Sequence, residues 1–247
     1  MAAETPDGTY DLVAVGDVML DVHVRDAMLD GVVHEAIEVC AGGSAVNVVR
    51  AARRLGARAV VVGRIGDDPA AAAIADDLHR SGIQASLDRV SEAATGTVVY
   101  VGSSIVADRG ANAGFRPADL PPARVTLVSG YLDPEAIAAV LAEASGLRAI
   151  DLQRPGGDPF DAEVVLGPEL DLDRFGGRHR VVCTTLSERG AIAVSGGERV
   201  EVAPPRVLAA SPKSAGDAFA AGFLLALADG RPLRTCVERG CAAALDA

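Results

Sequence analysis

Short apolar runs alternate with segments whose apolar residues recur at helical spacing, and no other feature constrains the fold of this chain as strongly. The runs LVAVG (12–16), AVVVGRIG (59–66), RVTLVSG (124–130), LRAIDLQ (147–153) and HRVVCTTLS (179–187) read as buried strands. Between them, AGGSAVNVVRAARRLGA places Val46, Val49, Ala52 and Leu55 on one helical face, with Arg50, Arg53 and Arg54 on a polar side and Gly56 at its end. DPAAAAIADDLHRSG opens with Pro69 and closes with Gly82, DPEAIAAVLAEASG is a third helix, and AGDAFAAGFLLALADG and LRTCVERGCAAALDA supply the last two. Strands that alternate with helices imply an α/β fold: a mostly parallel sheet covered on both faces.

Two regions break the alternation. Residues 22–40, with the edge-strand candidate VHEAIEVC, and residues 95–108, with two strands joined at Gly102, are strand-rich without intervening helices. They are expected to form a separate small sheet. GAIAVSGGERVEV adds two strands near the end. The segment from Arg154 to His179, rich in Gly, Pro and Asp, is expected to loop over the surface. With 247 residues and no repeat or low-complexity linker, the chain reads as one domain, 1–247.

Composition removes several functions. The net charge is −11 and Lys and Arg form no cluster, so a nucleic-acid partner or an anionic membrane surface is not expected. No apolar run reaches the roughly 18 residues of a membrane span, and MAAETPDGTY lacks the basic-then-apolar pattern of a secretion signal. Cys40, Cys183, Cys236 and Cys241 form no C-x-x-C pair and read as reduced thiols, which points to the cytoplasm. The four His are scattered without metal-site spacing.

Ligands of open α/β sheets sit beyond the carboxyl ends of the strands. Asp17 and Asp21 follow the first strand. Gly42, Gly43 and Asn47 fall where a loop enters a helix, suiting close backbone approach and a hydroxyl, although a Gly-rich helix entry alone would look the same. Asp21 could accept two polyol protons or cap its own turn. In SAGDAF, the N–H groups of Ser214, Ala215 and Gly216 gather at a helix start beside Asp217. Asp217 could be a cap; in a positive pocket it would be strongly acidic and, next to a bound phosphate, could take a hydroxyl proton. No G-x-x-x-x-G-K-[ST], H-R-D or G-x-S-x-G occurs, which argues against P-loop enzymes, protein kinases and hydrolases of the nucleophile-elbow type.

VAVGDVMLDV, AGGSAVNVVRAARRLGARAVVVGRIGDD, TGTVVYV, DRGAN, TTLSERGA and SAGDAFAAGFLLAL, in this order, resemble the ribokinase-like, PfkB-type carbohydrate kinases from about Asp11 to Ala247. The resemblance implies an αβα sandwich with a small β-lid, and an ATP-dependent sugar kinase using Mg2+. It implies Asp217 as the base, with Ser214, Ala215 and Gly216 as the anion hole. Asp21, Gly42, Gly43 and Asn47 would hold the sugar, and Thr185, Ser187 and Gly190 would lie along the ATP. It also makes a homodimer through the lid an expectation. A nucleoside kinase of the same fold shares this chemistry.

Departures from the family pattern open a further reading. Ser211 stands where an acidic residue helps bind a monovalent cation, which leaves such a cation doubtful, and Lys213 replaces a small residue. The N-x-x-E pattern that organises Mg2+ is missing; Glu169 in LGPE is the nearest candidate ligand. Relatives of this type continue past the region of Cys241 with adenine-side structure, so either a low ATP affinity or a truncated sequence is expected. These departures motivate the alternative of a sugar- or nucleoside-binding protein without turnover.

Overall fold

A computed structural model describes residues 8–24, 36–102, 104–153, 160–206 and 214–247. Along the chain the elements are β1 (Tyr10–Val15), β2 (Met19–Val24), β3 (Ile37–Gly42), α1 (Ser44–Arg54), β4 (Ala59–Gly66), α2 (Pro69–Arg80), β5 (Gln84–Val90), β6 (Thr97–Val101) and β7 (Ser104–Asp108). There follow β8 (Ala123–Ser129), α3 (Pro134–Glu143), β9 (Leu147–Asp151), β10 (Val164–Pro168), α4 (Leu172–Phe175), β11 (Val181–Thr185), β12 (Ala191–Ser195), β13 (Glu198–Val202), α5 (Ala215–Ala228) and α6 (Leu233–Leu245). Among the described residues no helix is long and apolar enough to cross a membrane.

The large sheet has nine strands in the order β13-β12-β11-β10-β9-β8-β1-β4-β5. It is parallel from β5 to β11, and β12 and β13 add an antiparallel edge. Alternate residues of the central strands feed two apolar cores. Leu12, Val61 and Val125 pack with α1, α2, α5 and α6 on one face, and Val13, Val128 and Ile150 pack with α3 and α4 on the other. This is the layered α/β fold that the alternation implies.

Helix α5 is apolar nearly all round, which suits a helix buried on two sides. Its contact with α6 is set by missing side chains. A Cβ on Gly222 would meet the Arg239 carbonyl at 2.7 Å, and one on Gly240 would meet the Phe219 ring at 2.7 Å.

One local reading changes, and two strands are not read from the sequence. The Arg154–His179 segment is not all surface loop: it supplies β10, buried between β9 and β11, and the short helix α4. Val164, Val165 and Leu166 form too short an apolar run to stand out between Gly, Pro and Asp, and only pairing on both sides makes them a strand. β5, QASLDRV, is a polar edge strand with no periodic signal. Beyond LVAVG, Met19–Val24 forms β2, which belongs to a different sheet from β1.

The small sheet has the order β3-β2-β6-β7, with β2 and β6 parallel and both outer pairs antiparallel. Residues 25–35, within the first strand-rich region, lie outside the described residues. Polar clusters fix the passages between the two sheets. Asn112, fully buried, accepts from Val18 N–H (2.9 Å) and donates Nδ2–H to the carbonyls of Val18 (2.9 Å) and Arg109 (3.0 Å). Asp68 caps α2 at Ala71 N–H (2.9 Å) and accepts from the Thr95 amide (2.8 Å) and hydroxyl (2.7 Å). Arg50 donates to the Ala41 carbonyl (3.0 Å) and to Asp77 (3.2 Å), which accepts from Ala41 N–H (2.9 Å).

Candidate active site

A cleft of about 680 Å3 opens between the small sheet and the carboxyl ends of the parallel strands. Asp17, Asp21, Asn47, Asp151, Thr185 and Asp217 line its polar side, and Val98, Tyr100 and Ile105 contribute from the small sheet. Parallel strands direct their carboxyl ends to one edge, so residues far apart in sequence meet there.

Asp217 lies in the first turn of α5, whose first intrahelical bond runs from Ala218 N–H to the Ser214 carbonyl (2.9 Å). The amides of Ala215, Gly216 and Asp217 therefore precede helical bonding and stand at the positive end of the helix dipole. Ser214 and Gly216 line the cleft with Asp217, and the side that a Cβ of Gly216 would occupy is open. Asn47, in the first turn of α1, donates Nδ2–H to Asp217 Oδ2 (3.1 Å) across 170 residues of sequence.

The strongly acidic Asp217 expected from the helix start is not what the structure holds. Burial, and next the charge of Asp151, push its carboxyl up to about 7, against the lowering effect of donors on Asn47 and Ser44. Burial outweighs the donors that favour the charged form, and the charges of Asp151 and Asp21 act with burial.

Gly42 and Gly43 serve the site sterically. A Cβ on Gly42 would overlap the Asp21 carboxylate, and one on Gly43, at φ 92°, would overlap the Asp17 carbonyl. The glycines make room for the protein's own acidic residues, and Gly43 lines the cleft while Gly42 lies behind it. Asp21, buried on β2, faces the cleft.

Thr185, at the end of β11, lines the cleft; Ser187 and Gly190 stand beyond it in the turn leading to β12. Gly190 has φ 91°, and a Cβ there would overlap the Val202 carbonyl. Glu169 follows β10 at φ 50°, its N–H directed at the Thr185 carbonyl (3.4 Å). Among the described residues no group of three or more His, Cys, Asp or Glu is gathered for a metal ion. Ser211 and Lys213 lie outside the described residues.

Residues not singled out in the sequence complete the site. Asp151 closes β9 and faces the cleft, with Gln153 Nε2–H donating to its Oδ2 (2.6 Å). A carboxylate ending an apolar strand was the available signal, the same one that marks Asp17. Arg109 binds Asp17 in bidentate fashion (Nε–Oδ2 3.1 Å, Nη2–Oδ1 3.0 Å) and so neutralises one cleft carboxylate. His23 and Tyr100, opposite each other on β2 and β6, stack with ring centres 4.5 Å apart.

Burial also drives the Asp151 carboxyl up to about 7. A carboxyl that holds its proton more tightly when folded than when unfolded (ordinary value about 3.9) stabilises the fold below that ordinary value. It loses this contribution as pH rises towards about 7. Asp151→Asn, which mimics the protonated form, should therefore gain on the parent as pH increases. We expect an advantage of about 1–3 kcal/mol at pH 8 and little difference near pH 4, read from urea unfolding at both pH values.

The layered fold, with its cleft at the carboxyl ends of the parallel strands, is shared by a family of kinases. The family model "pfkB family carbohydrate kinase" matches residues 10–164 and 172–245, and the chain belongs to that family. Ribokinase of Bacillus subtilis (strain 168) is 25% identical over 261 residues, covering 92% of this chain and 89% of that protein. Arabidopsis thaliana ribokinase complexed with ribose and ATP superposes with a TM-score of 0.78 at 20% identity, covering 96% of this chain and 91% of that one. Anopheles gambiae adenosine kinase in complex with P1,P4-di(adenosine-5) tetraphosphate gives 0.78 at 23% identity, covering 98% and 96%.

Proposed function

We propose that the protein transfers the γ-phosphoryl group of ATP to a hydroxymethyl group of a sugar or sugar-like small molecule. The observation that carries this is Asp217, a carboxylate facing the cleft at a helix start whose first amides are free of intrahelical bonds. The acceptor oxygen attacks the γ-phosphorus, the bond to the β,γ-bridging oxygen breaks, ADP leaves, and the hydroxyl proton passes to Asp217. The amides of Ser214, Ala215 and Gly216 face the charge developing on the transferring group.

Asp21 and Asn47, with Gly42 and Gly43 shaping the wall, hold the acceptor's other hydroxyls. Thr185 leads from the cleft towards Ser187 and Gly190, the side on which the nucleotide lies. Mg2+ would be carried chiefly by the nucleotide phosphates, with Glu169, after β10, as the candidate side chain. Bound there, it would neutralise phosphate charge. The small sheet acts as the lid over the acceptor.

ADP release measured over sugars, sugar acids and nucleosides, with Mg-ATP and with or without potassium, tests the reading. Turnover of at least one acceptor is expected. Calorimetric binding of a sugar or nucleoside with no ADP from any acceptor would instead establish the binding protein without turnover. Greatest turnover on a nucleoside would assign the acceptor to that class, as in the adenosine kinase relative.

The outer strands of the lid expose Ile37 and Val39 on β3 and Val106 on β7. We propose that a second copy covers them. Sedimentation should show a dimer that Val106→Glu converts to monomer; a monomeric parent at tens of micromolar rejects this interface.

A further inference from the structure

The cleft gathers carboxylates from separate elements, and they are not equivalently partnered. Asp17 is held by both arms of the Arg109 guanidinium, and Asp77, behind the cleft, is held by Arg50. Asp151 has no cationic partner among the described residues. It is buried at the end of β9, and its Oδ2 accepts a hydrogen bond from the Gln153 side-chain amide. It faces the same cleft as Asp217 from the sheet side, while Asp217 enters from α5.

We propose that Asp151 is a positioning residue that acts through Asp217, its charge governing the pH at which the Asp217 carboxyl can accept the acceptor's proton. This role of Asp151 rests on the proposed role of Asp217 and adds a second group to it. Two carboxyls lining one cleft, neither ion-paired among the described residues, cannot both ionise freely. Charge on Asp151 therefore makes Asp217 a stronger base, and a stronger base takes a hydroxyl proton with more driving force.

Other groups around Asp217 do not replace this effect. From α1, Asn47 donates to it and Ser44 favours its charged form. Arg50 of α1 is committed to Asp77 and the Ala41 carbonyl. From β2, Asp21 acts in the same direction as Asp151 but more weakly, and Tyr100 on β6 feels the charge of Asp217. The charge of Asp151 is the foremost electrostatic influence on Asp217, second only to burial.

The test reads Asp217 directly. With 13C-labelled aspartate, the carboxyl resonance of Asp217, assigned by its loss in Asp217→Asn, is titrated in the parent and in Asp151→Asn. Removing the neighbouring charge should lower the Asp217 midpoint by about one pH unit or more. The acidic limb of kcat/KM for the acceptor should move down by the same amount, with KM at pH 8 little changed. An unmoved midpoint overturns the proposal, whatever the activity.

If Asp151→Asn fails to fold, Gln153→Met gives the same readout. Loss of the amide donor disfavours the charged form of Asp151, so the Asp217 midpoint should again fall; no movement overturns the proposal. Because the titration needs no acceptor, a protein that turns over nothing can still show the coupling. Conversely, an active enzyme with an unmoved acid limb leaves the kinase reading standing and removes this one.

Discussion

Asp217→Asn should lower kcat by roughly a hundredfold or more while leaving the fold intact, because the substitution removes the proton acceptor and little else. The asparagine is nearly isosteric and keeps an oxygen for the Asn47 Nδ2–H that now reaches Asp217 Oδ2 at 3.1 Å. Stability should not fall. The carboxyl is raised to about 7 by burial and by Asp151, so above that pH the native protein carries a disfavoured charge that the amide lacks. The combination of lost turnover with unchanged or higher melting temperature at pH 8 separates a base from a structural cap. A cap would show the reverse, lost stability with turnover preserved. Steady-state ADP release and circular-dichroism melting measure the two quantities, and turnover within tenfold of the parent would remove Asp217 from the role of base. In the parent, kcat/KM should fall as pH drops below about 7, since the protonated carboxyl cannot accept the hydroxyl proton.

Asn112→Ala should be the most destabilising single change at the junction of the two sheets. The side chain is fully buried and satisfies both backbone groups of Val18, in the passage from β1 to β2. Alanine leaves that N–H and carbonyl without these partners, in a place closed to water. Each such loss costs about 1–3 kcal/mol, so a total of about 3–4 kcal/mol is expected. For a chain of this size that corresponds to a fall of roughly 6–16 °C in melting temperature. Val18 lies between Asp17 and Met19, so the damage should also reach the cleft as a raised KM for the acceptor. Asn112→Asp separates the two halves of the interaction: it keeps an acceptor for Val18 N–H and loses the donor to the Val18 carbonyl. It should melt below the parent, and a melting temperature equal to the parent's for both variants would show that the junction is held by other contacts.

Relatives at 25% identity and below share this architecture because the determinants of the sheet are local and repeated. Most of the buried strands carry their own apolar run, as in β4 and β8, and helices such as α2 their own stop signal. The family segments from GDVMLDV to SAGDAF likewise lie on short stretches whose residues are legible one at a time.

What the amino-acid sequence determined was the α/β class, the strand-rich regions of the small sheet, and the candidates Asp21, Asn47 and Asp217. Periodicity, glycine stops and strand-end carboxylates are properties of neighbouring residues, and neighbours can be read in order. Only the tertiary structure decided that Val164–Pro168 is a central strand, because that depends on β9 and β11 pairing on both of its sides. Only the structure brought Asp151 to Asp217, from β9 to the start of α5, and so turned an expected strong acid into a carboxyl near neutral. Desolvation and charge coupling are sums over everything packed around a group, and that surrounding exists only once the chain has folded.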